Sequence, residues 1–156
     1  MKKLALLILA VAFLAPVAVA DWLECKCDPY VLVDYQVSVA QGGTCTFLIN
    51  GGVFAEGSGF VLLASASGTT PGVPYAGVTI PLVGDDLFLW SFANPYNGFL
   101  QGSPGNLGQW GVSHVTWTVP PETYTALAGT FLHFAFFRSD ASGTHVSNPV
   151  LVKLVP

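Results

Sequence analysis

Side chains that alternate between apolar and polar, in runs cut by glycine, proline or asparagine, restrict this chain more than any other feature. The longest such run is Gln109 to Val119. Val115, Trp117 and Val119 fall on one side, and Val112, His114, Thr116 and Thr118 on the other. A period of two puts these sets on opposite faces of a strand. Thr44 to Ile49 repeats the pattern, with Cys45, Phe47 and Ile49 against Thr44, Thr46 and Leu48. In Val31 to Ala40 the apolar set is Val31, Val33, Tyr35, Val37 and Val39. Phe60 to Ser67 and Phe131 to Phe137 are apolar on both faces, as central strands covered on two sides are.

The segment from Gly59 to Phe92 holds three of these expected strands. Phe60 to Ser67 leads into a Gly/Pro/Thr loop, where Pro71-Gly72 suits a type II turn. Val78-Thr79-Ile80 follows, ended by Pro81. Gly84-Asp85-Asp86 then enters Leu87 to Phe92, read as a strand with Leu87 and Leu89 on one face and Phe88, Trp90 and Phe92 on the other. A short piece at Phe99-Leu100 and the closing run Val146 to Val155, with Val150, Val152 and Leu154 inward, complete the set. Asp21 to Tyr30 reads as an irregular segment across one end, and Pro120 to Leu127 as the one helix-like turn. The expectation is an all-β domain. Its form is a two-sheet antiparallel β-sandwich, immunoglobulin-like or jelly-roll-like, of about eight or nine strands, with a barrel as the alternative.

Residues 1–20 read as a signal peptide. Lys2 and Lys3 precede an apolar stretch from Leu4 to Leu14, and Ala18-Val19-Ala20 forms a cleavage site before Asp21. A membrane anchor needs roughly 18 unbroken apolar residues, and Pro16 interrupts this run. Cys25 sits in D-W-L-E-C, which lacks the small residues of a lipid-attachment site. The expected product is residues 21–156 as one domain, exported to the periplasm, cell surface or medium, without a membrane anchor. A helix is expected in residues 1–20 if they are retained.

Composition then narrows the partners. After removal of residues 1–20, Lys26, Arg138 and Lys153 face nine acidic residues, a formal charge of −6. No basic footprint for nucleic acid or for a lipid headgroup layer exists. Charged residues make up 9% of the chain, against roughly 25% in ordinary soluble domains. A surface so poor in charge tends to associate, with itself or with something insoluble.

Cys25, Cys27 and Cys45 would be oxidised outside the cytoplasm. A Cys25–Cys27 ring would be strained, so the expected disulfide joins Cys45 to Cys25 or to Cys27. The odd thiol is left alone or links two chains. A metal would need further ligands at fitting spacing, and none lies nearby.

Five pieces recur together here: S-G-T-T-P-G at 67–72, G-D-D at 84–86, G-F-L-Q-G at 98–102, L-A-G-T-F-L-H at 127–133, and V-S-N-P-V-L-V-K-L-V-P at the C-terminus. In this order, over about residues 43–156, they resemble an uncharacterised all-β unit that recurs in bacterial secreted proteins. The resemblance implies a small extracellular β-sandwich and carries no catalytic residues. The C-x-C segment and Cys45 depart from it.

Residues fit for catalysis are few. His114 and His133 lie on strands separated by one turn, so a two-histidine metal or acid/base site is conceivable. His133 stands among Phe and Leu, where a histidine bonded to a neighbour is the commoner case, and His145 lies near a turn. No G-x-S-x-G or H-E-x-x-H motif and no Ser/His/Asp arrangement is present. Asp85 and Asp86, with Asp140, offer too few oxygens for calcium and read instead as an acidic turn. Glu56 and Glu122 belong to unrelated loops, and nothing places them as a glycosidase pair. The remaining candidates are aromatic: Phe88, Trp90, Phe92, Tyr96 and Trp110. They are either core, a protein contact, or a surface on which sugar rings stack. The functional expectation is a non-catalytic structural or interaction module without cofactor. Its partner is itself, another envelope protein or, alternatively, a polysaccharide.

Overall fold

The structure, a computed structural model, describes residues 21–28 and 35–156 of the chain. The expected signal segment and residues 31–34 of the expected Val31–Ala40 strand fall outside them; of the rest of that run, Gln36–Ser38 is strand. Among the described residues eleven strands form three sheets. They are β1 (Trp22–Asp28), β2 (Gln36–Ser38), β3 (Gly43–Asn50), β4 (Gly59–Ser65), β5 (Val73–Tyr75), β6 (Val78–Ile80), β7 (Gly105–Asn106), β8 (Val112–Val119), β9 (Phe131–Asp140), β10 (Gly143–Val146) and β11 (Val150–Val155). The same residues include one α-helix, α1, at Asp86–Ala93.

The first sheet is ordered β1-β3-β8 and the second β2-β11-β9-β4-β7, with β10 added along β9; β5 and β6 form a separate hairpin. Every pairing is antiparallel except β2 with β11, which is parallel. The chain is therefore mostly β, as expected. Three segments differ from expectation. Asp21–Tyr30 is not irregular: Trp22–Asp28 is an edge strand, with Leu23 and Cys25 buried and Trp22 and Glu24 exposed. Phe99-Leu100 is not a strand. Leu87–Phe92 is a helix.

The first two sheets share one apolar core. β3 contributes Cys45, Phe47 and Ile49, and β8 contributes Val115, Trp117 and Val119, as their period of two requires. Facing them are Leu62 of β4, Phe134 and Phe136 of β9, and Val152 and Leu154 of β11. Phe47 meets Phe134 with ring centroids 4.6 Å apart, and Trp117 lies 5.6 Å from Phe134. The other face of β4 and β9 is covered too. Leu63 and Ala135 pack under Ile80, Leu82 and Phe88. That second layer explains why these two strands are apolar on both faces.

Helix α1 begins where Asp85 caps it. The Asp85 carboxylate accepts from Phe88 N at 2.9 Å and also from Ser65 Oγ at 3.0 Å and Ala66 N at 2.7 Å. One side chain thus starts the helix and ties it to the end of β4. Burial raises the Asp85 carboxyl, but these donors outweigh it and hold the group below its usual value.

Candidate functional site

The five candidate aromatics do not form one row. A strand would put Phe88, Trp90 and Phe92 on one face. In a helix, residues four apart share a face and residues two apart do not. Phe88 and Phe92 accordingly stack, with centroids 6.0 Å apart, and turn toward β9, where Phe92 lies 6.3 Å from Phe137. Phe88 is fully buried. Trp90 and Leu89 point outward. The row therefore divides: Phe88 and Phe92 are packing residues, and Trp90 is surface.

Trp90 instead shares a groove with Tyr96. With Ala93, Asn94, Pro95 and Asn97 they line an open groove of about 350 Å³ past the end of α1. Tyr96 is 86% exposed. The Trp90 ring rests edge-on against Phe99 at 6.0 Å. Asn94 Nδ2 donates to Trp90 O and Asn97 Nδ2 donates to Asn94 O, so both amides serve partly to hold the loop.

Trp110 lies elsewhere, on a 3-10 turn at Gln109–Gly111 that faces a second 3-10 turn at Val53–Ala55. The two segments are laced by backbone bonds: Gly51 N to Gly111 O at 2.9 Å, Gly57 N to Leu107 O at 2.8 Å, and Leu107 N to Ser58 O at 2.9 Å. The result holds three large apolar side chains in solvent: Val53 at 52%, Phe54 at 86% and Trp110 at 65% exposure. Trp110 adopts a left-handed backbone (φ 64°, ψ 15°), which a bulky residue takes only against a cost. Glu56 is the sole ionisable residue in residues 50–58 and 107–112. The alternation of residues could not reveal this pair of turns, because segments far apart in sequence are brought together only by tertiary contact. The one local signal was an aromatic flanked by glycine on each side of the pair.

The titratable groups fall into separate places. His114 lies on β8 opposite Leu48 of β3, on the face turned away from the core. His133 lies on β9 between Ser65 and Leu151, in the other large sheet. The two-histidine site does not assemble. Asp86 is the first residue of α1 and Asp85 its cap, so neither is arranged for calcium. Glu56 and Glu122 are exposed in different loops. Among the described residues no group of three or more His, Cys, Asp or Glu is placed to hold a metal ion.

One cluster escaped the sequence reading. The β9–β10 hairpin brings Asp140, Ser142 and His145 together, the residue types that had seemed absent as a set. Ser142 Oγ lies 2.5 Å from Asp140 Oδ1 and 2.9 Å from His145 Nε2. The order is wrong for a nucleophile relay, which needs the carboxylate on the far nitrogen of the histidine. Here Asp140 takes the serine itself. The Ser142 hydroxyl and N–H, with Arg138, hold the Asp140 carboxyl down at about 2. Arg138 Nε also donates to Oδ1 of the buried Asp21 at 3.1 Å, and its charge lies 2.9 Å from Oδ2 of the same carboxylate. Burial pushes the Asp21 carboxyl up, and Arg138 opposes that shift without cancelling it.

The cysteines sit in the first sheet. Cys25 is in register with Phe47, and Cys27 with Cys45. Cys25 and Cys45 are both buried. No helix among the described residues is long and apolar enough to cross a membrane. Comparison with models of known families, with curated proteins and with solved structures finds no match.

Proposed function

We propose that this chain is an exported, non-catalytic interaction module of the cell envelope or extracellular matrix. On this reading it is a β-sandwich that associates through uncharged surface with a second copy of itself. The observation that carries it is the pair of laced turns holding Val53, Phe54 and Trp110 in water. Exposing such side chains on a rigid support is costly alone and favourable in a contact, where aromatic anchors dominate binding. The 9% charge content offers little repulsion between copies. The order of turn motifs from residue 67 to the C-terminus supports an extracellular setting.

Light scattering on a sizing column tests this across a hundredfold range of concentration. The expected result is a mass that rises toward a dimer, and a double change of Phe54→Ser and Trp110→Ser that leaves monomer throughout. A wild-type protein that stays monomeric at every concentration would sink the self-association.

The Trp90–Tyr96 groove favours a second reading, a carbohydrate-binding module in which sugar rings lie on the two aromatic faces. Retention on insoluble polysaccharides, lost in Tyr96→Ala but kept in Phe54→Ser, would select it.

Within the same reading the disulfide joins Cys27 to Cys45. Directly opposed residues of an antiparallel pair stand roughly 4.5–5.5 Å apart at Cα, within the span a disulfide bridges. Cys25, two pairs further along and in register with Phe47, is offset from Cys45. A non-reduced digest is expected to give one cross-linked peptide carrying Cys27 and Cys45. A Cys25–Cys45 peptide would contradict this.

A further inference from the structure

Tyr96 borders two hollows in the surface. The first is the groove of about 350 Å³ that it shares with Trp90. The second, about 330 Å³, lies over Gly59 and Phe60 of β4 and reaches Gly105 and Asn106 of β7, at the margin of the larger sheet. Both rest on tied backbone. Asn97 Oδ1 accepts from Phe99 N at 2.6 Å while its Nδ2 donates to Asn94 O, which fixes the loop that carries Tyr96. Ser103 Oγ accepts from Leu62 N at 2.9 Å and pins the segment before β7 to β4. A Cβ on Gly105 would stand 2.6 Å from Gly102 O and 3.0 Å from the Phe60 ring, so only bare backbone fits there.

Two features decide what this surface can hold. No charged side chain lines either hollow, so an acidic or amino-sugar polymer would find no countercharge. Asn106 is exposed, and its carboxamide makes no hydrogen bond to any described residue, unlike those of Asn94 and Asn97. Its Oδ1 lies 3.7 Å from where a side chain on Gly59 would begin, so the amide stands over open backbone. It offers two donors and an acceptor, the groups with which sugar hydroxyls pair. A peptide strand fits less well. β7 is two residues long, and that margin of the sheet presents little backbone for a strand to pair with.

We propose, building on the carbohydrate reading of the Trp90–Tyr96 groove, that the two hollows form one site for the middle of a neutral β-1,4-linked glucan chain. In such a chain the ring substituents are equatorial. Each ring face shows only axial C–H groups, and the hydroxyls lie at the rim. One unit rests on Trp90, which Phe99 backs, and the chain passes over the exposed ring of Tyr96. Rim hydroxyls of a further unit exchange hydrogen bonds with Asn106. The surface at Phe54 and Trp110 plays no part in this.

Calorimetric titration with cellohexaose and cellobiose tests it, on the wild-type protein and on Asn106→Ala and Tyr96→Ala. Both residues are exposed, so neither change is expected to disturb the fold. Cellohexaose should bind about tenfold more tightly than cellobiose, the effect of one added hydrogen bond with further stacking. Asn106→Ala should weaken cellohexaose by about fivefold and leave cellobiose unchanged. Tyr96→Ala should weaken both, and polygalacturonate should compete with neither. Equal binding of the two sugars, with Asn106→Ala silent and Tyr96→Ala disabling, overturns the two-hollow site but leaves the simpler sugar groove standing. Competition by polygalacturonate overturns the requirement for a neutral chain. If cellohexaose does not bind at all the proposal is overturned, and the carbohydrate reading falls with it only if insoluble polysaccharides also fail to retain the protein.

Discussion

Arg138→Met is expected to lower the unfolding free energy by about 3–5 kcal/mol, measured by urea denaturation near neutral pH. Arg138 is 7% exposed, and its guanidinium reaches Asp21 and Asp140 from inside the domain. Removing it strands the Asp21 carboxylate, whose side chain is 3% exposed, beside a second acid. Methionine can fill the volume but cannot meet the charge. The pairing itself is a different quantity. Changing both partners, Arg138→Met with Asp21→Leu, is expected to recover much of the loss, because a buried ion pair replaced whole by apolar groups is often near neutral. If the double variant is no better than Arg138→Met, loss of packing rather than a stranded charge is the cause.

The same cluster sets an acid limit. Asp140 is held at about 2, below its ordinary value of 3.8. Its folded value is the lower one, so its contribution is present above about 3.8 and is lost as pH falls toward 2. Asp21 works in the opposite sense. Its folded value is raised, so its contribution is present below 3.8 and is lost as pH climbs through that raised value. In Asp140→Asn the fall in stability between about pH 4 and pH 2 should flatten.

The second large effect is expected at Gly111, which carries no side chain at all. A Cβ there would stand 1.8 Å from Gly52 O, a backbone atom, at a φ of 69°. Gly111→Ala must therefore force the two turns apart and break the Gly51 N to Gly111 O bond. Positive φ and the broken bond together predict a loss of about 3 kcal/mol. Gly57→Ala serves as the control. Its φ is 79°, but nothing lies within 4 Å of the added methyl, so only about 1 kcal/mol is expected. Gly111→Ala should also abolish concentration-dependent association, and Gly57→Ala should not. Equal losses in both would mean that contact between the turns contributes nothing.

Strands with a strict period of two were legible. β3 and β8 bury the very residues their alternation assigns to the core, and β4 and β9 are covered on two sides as their composition requires. The helix was misread because L-F-L-W-S-F is rich in strand-forming residues and apolar at five of six positions, so neither period stands out. The cue that outweighed propensity was Asp85, three residues before Phe88, in the position of a helix cap. β1 was missed for the opposite reason. W-L-E-C-K-C-D does alternate, but over a short run in which Glu, Lys and Asp lower the strand propensity. The binding candidates were half legible. Trp90, Tyr96 and Trp110 are exposed, whereas Phe88 and Phe92 pack inward, and a helix separates the two sets. The pairing of the turns at Val53–Ala55 and Gln109–Gly111 arises from contacts between distant segments, which no local pattern records.

The position of β11 makes the larger sheet depend on joining parts of the chain that are remote in sequence. Val150–Val155 lies between β2 and β9 rather than at a margin. Gln36–Ser38 is held in this sheet through β11, in parallel register with Lys153–Val155. Pairings between segments so far apart require large loops to close first, which slows folding relative to a fold built from neighbouring hairpins.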